Sequence, residues 1–225
     1  MTAVKICGLT RPEDVVLACD LGASYVGFNF AKVSPRRVTP EQSRRLAEAI
    51  SSGTARVGVF VGEDYRTIAD AVEAASLDFV QIHRPLEPGD LEGSPRPVIA
   101  VAHVRAGAAA LPPPELLARC GAILFDTRAP GRAGGTGERF DWSLLEGNRW
   151  PIPLFLAGGL DANAVGMAIR RVRPAAVDVA SGVESAPGIK DPERMRRFFE
   201  AVRQADSAPS PSGRGPGARG KHSPA

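Results

Sequence analysis

The stretch "AVKICGLTRPED", residues 3–14, runs from a short apolar segment through Gly8 into the start of a helix. Val4 and Ile6 alternate with Lys5 and Cys7, as in a strand with two different faces, and Pro12 suits the first turn of a helix. The same grammar recurs along the chain. Short runs rich in Val, Ile and Phe predict strands at 4–8, 25–31, 55–61, 79–83, 97–103, 121–126, 152–157 and 175–180. Amphipathic stretches predict helices near 11–21, 40–52, 64–76, 113–120, 141–146, 162–172 and 192–205. After the fourth strand, "RPLEPGDLEGSPR" (84–96) is too rich in Pro and Gly for a good helix.

Repeated β–α alternation calls for a parallel sheet, because each crossover helix returns the chain to the same end. Eight units without a long insertion predict a single (β/α)8 TIM barrel over residues 1–206, with a degraded helix after strand four. A doubly wound open sheet is the alternative, but no G-x-G-x-x-G follows the first strand. Thr10 with Glu13, and Thr39 with Gln42, have the spacing of capping boxes, and Pro40 and Pro192 fit first helical positions.

The chain of 225 residues is 44% hydrophobic and 24% charged, the proportions of an ordinary globular protein. Its net charge of +3 belongs to the segment 207–225, which holds Arg214, Arg219 and Lys221 and no acid. Without those three, 25 basic residues face 25 acidic ones, so the folded part offers no general attraction to nucleic acid. That Pro-, Gly- and Ser-rich segment lacks a periodic apolar pattern and is expected to be a disordered tail. Cys7, Cys19 and Cys120 are odd in number and widely spaced, which suits a reducing cytoplasm better than a disulfide framework. No leader is expected before Val4, and no uncharged apolar run approaches the ~20 residues of a membrane span.

Within a barrel, strand residues alternate between the interior and the helices. Lys5 and Cys7, Gly27 and Asn29, Gln81 and His83, Leu124 and Asp126, and Asp178 then share the inner side. Cys7, Asn29, His83, Asp126 and Asp178 fall near the C-terminal ends of their strands, where barrel enzymes assemble their sites. Singly, each could be structural; together they converge on one pole. Three histidines, with only His83 and His103 on adjacent strands, show no ligand spacing for a metal, and no metal or other cofactor is expected. The loops "LAGGLD" with Gly158 and Gly159, and "VASGVE" with Ser181 and Gly182, suit phosphate binding after strands seven and eight. A longer loop, "GRAGGTGERFDW", carries Gly134, Gly135, Thr136 and Gly137 beside Asp126 and is expected to be a mobile cover.

The ordered segments "KICGLTRPED", "GFNFAKVSPRRVTPEQ", "RVGVFV", "VQIH", "LFDT", "GGTGERFDW", "LAGGLDANAV" and "VDVASGVESAPGIKDPERMRRFF" resemble the phosphoribosylanthranilate isomerase family of tryptophan biosynthesis. The resemblance implies a metal-free Amadori rearrangement of N-(5-phosphoribosyl)anthranilate to 1-(2-carboxyphenylamino)-1-deoxyribulose 5-phosphate. It implies Cys7 as general base, Asp126 as general acid, Arg36 on the anthranilate carboxylate, and Asp178 in the polar barrel floor. His83 and Gln81 join the substrate side. The implied partner is a small phosphorylated sugar rather than nucleic acid or membrane, bound by a monomer or homodimer.

The chemistry suits these residue types. Opening a furanose needs a proton donor at the ring oxygen, and the iminium so formed acidifies the neighbouring C–H enough for a modest base. Three positions depart from the family pattern: Arg84 with Pro85 stands where glycine is usual, Arg37 where an aromatic is common, and Ala100 where lysine is frequent. The histidine-pathway isomerase is the nearest rival, but it typically carries an aspartate base where this chain has Cys7. A metal-dependent pentose-phosphate epimerase would need ligand histidines, and a non-catalytic phosphate-binding barrel would need neither Cys7 nor Asp126.

Overall fold

The computed structural model describes residues 1–105, 108–126, 142, 145–147 and 149–208. The strands are β1 (Ala3–Cys7), β2 (Tyr25–Asn29), β3 (Ala55–Phe60), β4 (Phe79–Ile82), β5 (Val98–Arg105), β6 (Ala108–Ala110), β7 (Ala122–Asp126), β8 (Leu154–Leu156) and β9 (Ala176–Val179). They are hydrogen-bonded in the order β4-β3-β2-β1-β9-β8-β7-β5, and β4 pairs with β5 to close the ring. All eight ring pairings are parallel. The expected barrel is the observed one.

Among the described residues the helices are α1 (Pro12–Asp20), α2 (Pro40–Glu48), α3 (Tyr65–Ala75), α4 (Pro88–Glu92), α5 (Pro114–Leu117), α6 (Val165–Val172) and α7 (Pro192–Ser207). The degraded helix after strand four is the five-residue α4. Of the helix expected at 141–146, only Trp142, Leu145 and Glu146 are described. Gly134, Gly135, Thr136 and Gly137 lie outside the described residues, as does the tail from residue 209 onward. Ser207 itself closes α7.

Local chemistry explains most element starts. Thr39 accepts the Gln42 N–H, and the Gln42 carboxamide accepts the Thr39 N–H, completing the expected box ahead of Pro40. Asp191 accepts from the Glu193 and Arg194 N–H groups ahead of Pro192. From there α7 buries Met195, Phe198, Phe199, Val202 and Ala205, the stripe of an amphipathic helix. The box expected from Thr10 and Glu13 does not form. Pro12 takes the first turn of α1 and makes Arg11 the cap residue, while the Thr10 hydroxyl donates to the Gly188 carbonyl at 2.5 Å.

Two features were not foreseen. β5 continues past residue 103 and folds back as β6, pairing His103 with Ala110 antiparallel. After β9, a 3-10 turn (Ser181–Val183) leads into a hairpin of β10 (Glu184–Ala186) and β11 (Ile189–Lys190).

The core has two layers. Val4, Ile6, Val26, Phe28, Ile123, Phe125, Val177 and Val179 face the helices. Inside the ring, Val57, Ile99, Val101, Leu124, Phe155 and Ala176 form an apolar plug, with Tyr25 and Phe79 packed against it. The interior is therefore polar only towards one end, so the cavity is a shallow cup and not a pore.

Candidate active site

Cys7, Asn29 and Asp126 are the last residues of β1, β2 and β7, and His83 immediately follows β4. All four line one cavity at the C-terminal pole, together with Arg36, Gln81, Gly158, Gly159, Asp178, Ser181 and Gly182. Every sequence-derived site residue that the structure describes is thus brought to one place. Gly158 and Gly159 have φ of +89° and +68°, a left-handed backbone that glycine adopts without strain. A Cβ on Gly182 would collide with the Leu160 carbonyl, so the loops after β8 and β9 meet only because that side chain is missing.

Beneath the cavity lies a fully buried ammonium. Lys5 Nζ sits 3.1 Å from Asp178 Oδ1, and β1 and β9 place the two residues directly across from each other. Burial alone would lower the Lys5 pKa, but Asp178 and Cys7 outweigh it and hold the group charged. Burial also pushes the Cys7 thiol up, and Lys5 is the main charge opposing that. Gly27 on the neighbouring strand makes room for both: a Cβ there would lie 2.9 Å from Cys7 Sγ and 3.2 Å from Lys5 Nζ. Across the cavity, Asp126 Oδ2 is 3.2 Å from His83 Nε2. Gln81 Oε1 is buried with no hydrogen-bond partner among the described residues, a vacancy that suits a ligand hydroxyl.

Arg36 is held from behind. Its Nε and Nη2 donate to Glu184 Oε1 and Oε2 at 2.8 and 2.6 Å. Glu184 also accepts from Lys190 Nζ at 2.9 Å, and that ammonium donates to the Cys7 and Ala180 carbonyls at 2.6 and 3.2 Å. Burial would raise the Glu184 pKa, but the two cations outweigh it and hold the carboxyl below its ordinary value. A carboxyl depressed on folding stabilises the fold above its unfolded pKa, and that contribution is lost as the pH falls through the folded value. Glu184→Gln is therefore expected to lower stability at neutral pH by roughly 3–5 kcal/mol, because it leaves buried Lys190 without its counter-charge. It should also flatten the acid limb of the unfolding curve. Denaturant melts from pH 7 down to pH 3 check this, and an unchanged acid limb would contradict it.

The sequence reading missed Glu184 and Lys190. Glu184 and Lys190 flank "SAPGI", and the turn-forming Pro187–Gly188 pair with opposite charges on either side is a signal that could have found them. The sequence places His103 on the strand next to that of His83, but its register opposite Asp126 on β7 is set by the β5–β7 pairing and is not readable from spacing.

The family described as N-(5'phosphoribosyl)anthranilate (PRA) isomerase matches residues 4–201. The chain belongs to this family. It is 44% identical over 201 residues to the N-(5'-phosphoribosyl)anthranilate isomerase of Pseudomonas putida F1, covering 89% of this chain and 97% of that one. The phosphoribosyl anthranilate isomerase of Thermotoga maritima superposes with a TM-score of 0.80 at 36% identity, covering 91% of this chain and all of the other. A further isomerase structure, in complex with reduced 1-(o-carboxyphenylamino)-1-deoxyribulose 5-phosphate, superposes at 0.77 with 34% identity over 91% of this chain and 100% of its own.

Of the three departures from the PRA isomerase pattern, none lines the cavity. Arg84 turns away from it, and its Nη1 and Nη2 grip buried Asp90 of α4 at 2.9 and 2.7 Å. Arg37 is exposed, and Ala100 is buried on the helix side of β5.

Proposed function

We propose that this PRA isomerase family member converts N-(5-phosphoribosyl)anthranilate to the 1-amino-1-deoxyribulose 5-phosphate, with Asp126 as general acid and Cys7 as general base. Asp126 gives its proton to the ring oxygen; the C1–O bond breaks, and the anilino nitrogen lone pair forms an iminium. The Cys7 thiolate then takes the C2 proton, and the electron pair of that bond neutralises the iminium as an enolamine, which tautomerises to the ketone. One observation carries this reading. A thiol and a carboxyl end two different strands and line the same cup as two glycine loops.

The rest of the cup suits the remaining groups. Backbone N–H groups at Gly158, Gly159, Ser181 and Gly182 bind the phosphate, as amide-rich loops do. Arg36, oriented by Glu184, meets the anthranilate carboxylate, and Gln81, Asp178 and His83 face the sugar. The protein works as a monomer or homodimer, and its free cysteines fit a reducing cytoplasm. Loss of the fluorescence of N-(5-phosphoribosyl)anthranilate on adding purified protein tests the activity; no loss would overturn it.

Arg36→Ala is expected to raise KM while changing kcat less, since one charge-assisted interaction of ~1.5–3 kcal/mol is removed from bound substrate. An unchanged KM would remove Arg36 from the carboxylate.

A further inference from the structure

We propose that His83, His103 and Asp126 form a binding site for a borderline divalent transition-metal ion such as Zn2+, and that occupation of this site inhibits the isomerase. One ligand atom from each of the three lies within 4.8 Å of the others, the only such group of histidine, cysteine and carboxylate residues among the described residues. The His83 and His103 ring centroids are 4.9 Å apart, with the planes tilted by 56°. His83 Nε2 is 3.2 Å from Asp126 Oδ2. The scaffold is rigid: His103 and Asp126 are cross-strand partners on β5 and β7, and β4 pairs with β5 on the other side.

Two imidazoles and one carboxylate form a donor set suited to Zn2+, Co2+, Ni2+ or Fe2+. It does not suit Mg2+ or Ca2+, which take oxygen ligands almost throughout. Ligands held ~2.1 Å from a tetrahedral Zn2+ are roughly 3.4 Å from one another. All three side chains are partly exposed, so modest rotations bring the wider spacings to that value. His83 and Asp126 line the cavity, so water or a substrate oxygen can complete the shell from that side. Coordination places the Asp126 lone pair on the metal, and the proton that opens the sugar ring has no carrier. The inhibition rests on the acid role given to Asp126; the binding does not.

Calorimetric titration of the chelator-treated full chain with ZnCl2 is expected to show one saturable site, with no comparable site for MgCl2. His103→Gln and Asp126→Asn are each expected to weaken Zn2+ binding by about 10-fold or more. The Co2+ complex should show visible d–d bands without the near-ultraviolet thiolate charge-transfer band that ligation by Cys7 would produce. Saturating Zn2+ should abolish turnover, and EDTA should restore it. Absence of saturable binding, binding indifferent to both substitutions, or a thiolate band would overturn the site. Binding without loss of turnover would leave the site standing and overturn the inhibition together with the acid role of Asp126.

Discussion

Cys7→Ala is expected to lower kcat by about 10²-fold or more, with KM changed far less. The substitution removes the thiol base and its contact with Lys5, while Asp178 still pairs with Lys5 and the Cys7 backbone carbonyl stays to accept from Lys190. Cys7 ends β1 and lines the cavity, and the Lys5 ammonium beneath it cannot replace it as base while Asp178 holds it charged. Burial pushes the thiol pKa up, with Lys5 only partly offsetting the effect. On the proposed mechanism the base is the thiolate and the acid a protonated carboxyl, so the pH profile of kcat/KM reports both groups, whereas alkylation of the thiol alone should climb with pH into the alkaline range. Iodoacetamide should inactivate along that second profile. Cys120 is buried whereas Cys7 lines the cavity, so Cys120 should lag behind in alkylation because the reagent reaches it less readily. Turnover like the wild type's in Cys7→Ala, measured by the fluorescence decrease, would remove the thiol from the mechanism.

Asp126→Asn is the second large effect, again about 10²-fold or more in kcat. The amide preserves the shape of the carboxyl and can still face His83, so a folding explanation for the loss is weak. What it lacks is a proton acidic enough to be passed to a ring oxygen. A substrate already in open-chain form bypasses that step, so the deficit should shrink for an acyclic aminoaldose analogue. The same deficit on both substrates would move Asp126 from acid to mere binding. Cys7→Ala, in contrast, should impair cyclic and acyclic substrates alike.

Much of this was legible in the chain, for identifiable reasons. Alternation is a local property: once Lys5 and Cys7 are assigned one face of β1, Val4 and Ile6 must take the other. Repeating this over eight strands yields the barrel and its polar pole. Pairings between residues distant in sequence were not legible. Arg36 and Glu184 are 148 positions apart, and the bidentate bond between them depends on a hairpin whose strands are two or three residues long. The β5–β6 return was hidden because "AGAAAL" has neither the alternation of a strand nor a strong turn pair. Thr10 misled for a different reason. Its hydroxyl had two possible acceptor or donor partners, and the shift of the helix start to Pro12 gave it to Gly188. His83 and His103 read as residues of adjacent strands but without ligand spacing in the chain; in the closed ring their side chains nevertheless meet, with ring centroids 4.9 Å apart.

The most direct test is a crystal structure of this chain with reduced 1-(o-carboxyphenylamino)-1-deoxyribulose 5-phosphate, the compound already seen in one of its structural relatives. The thiol of Cys7 is expected beside C2 of the bound sugar and the carboxyl of Asp126 beside the oxygen that leaves C1, with the phosphate against Gly158–Gly159 and Ser181–Gly182. A ligand seated in the cup with either group out of reach of those atoms would contradict the account.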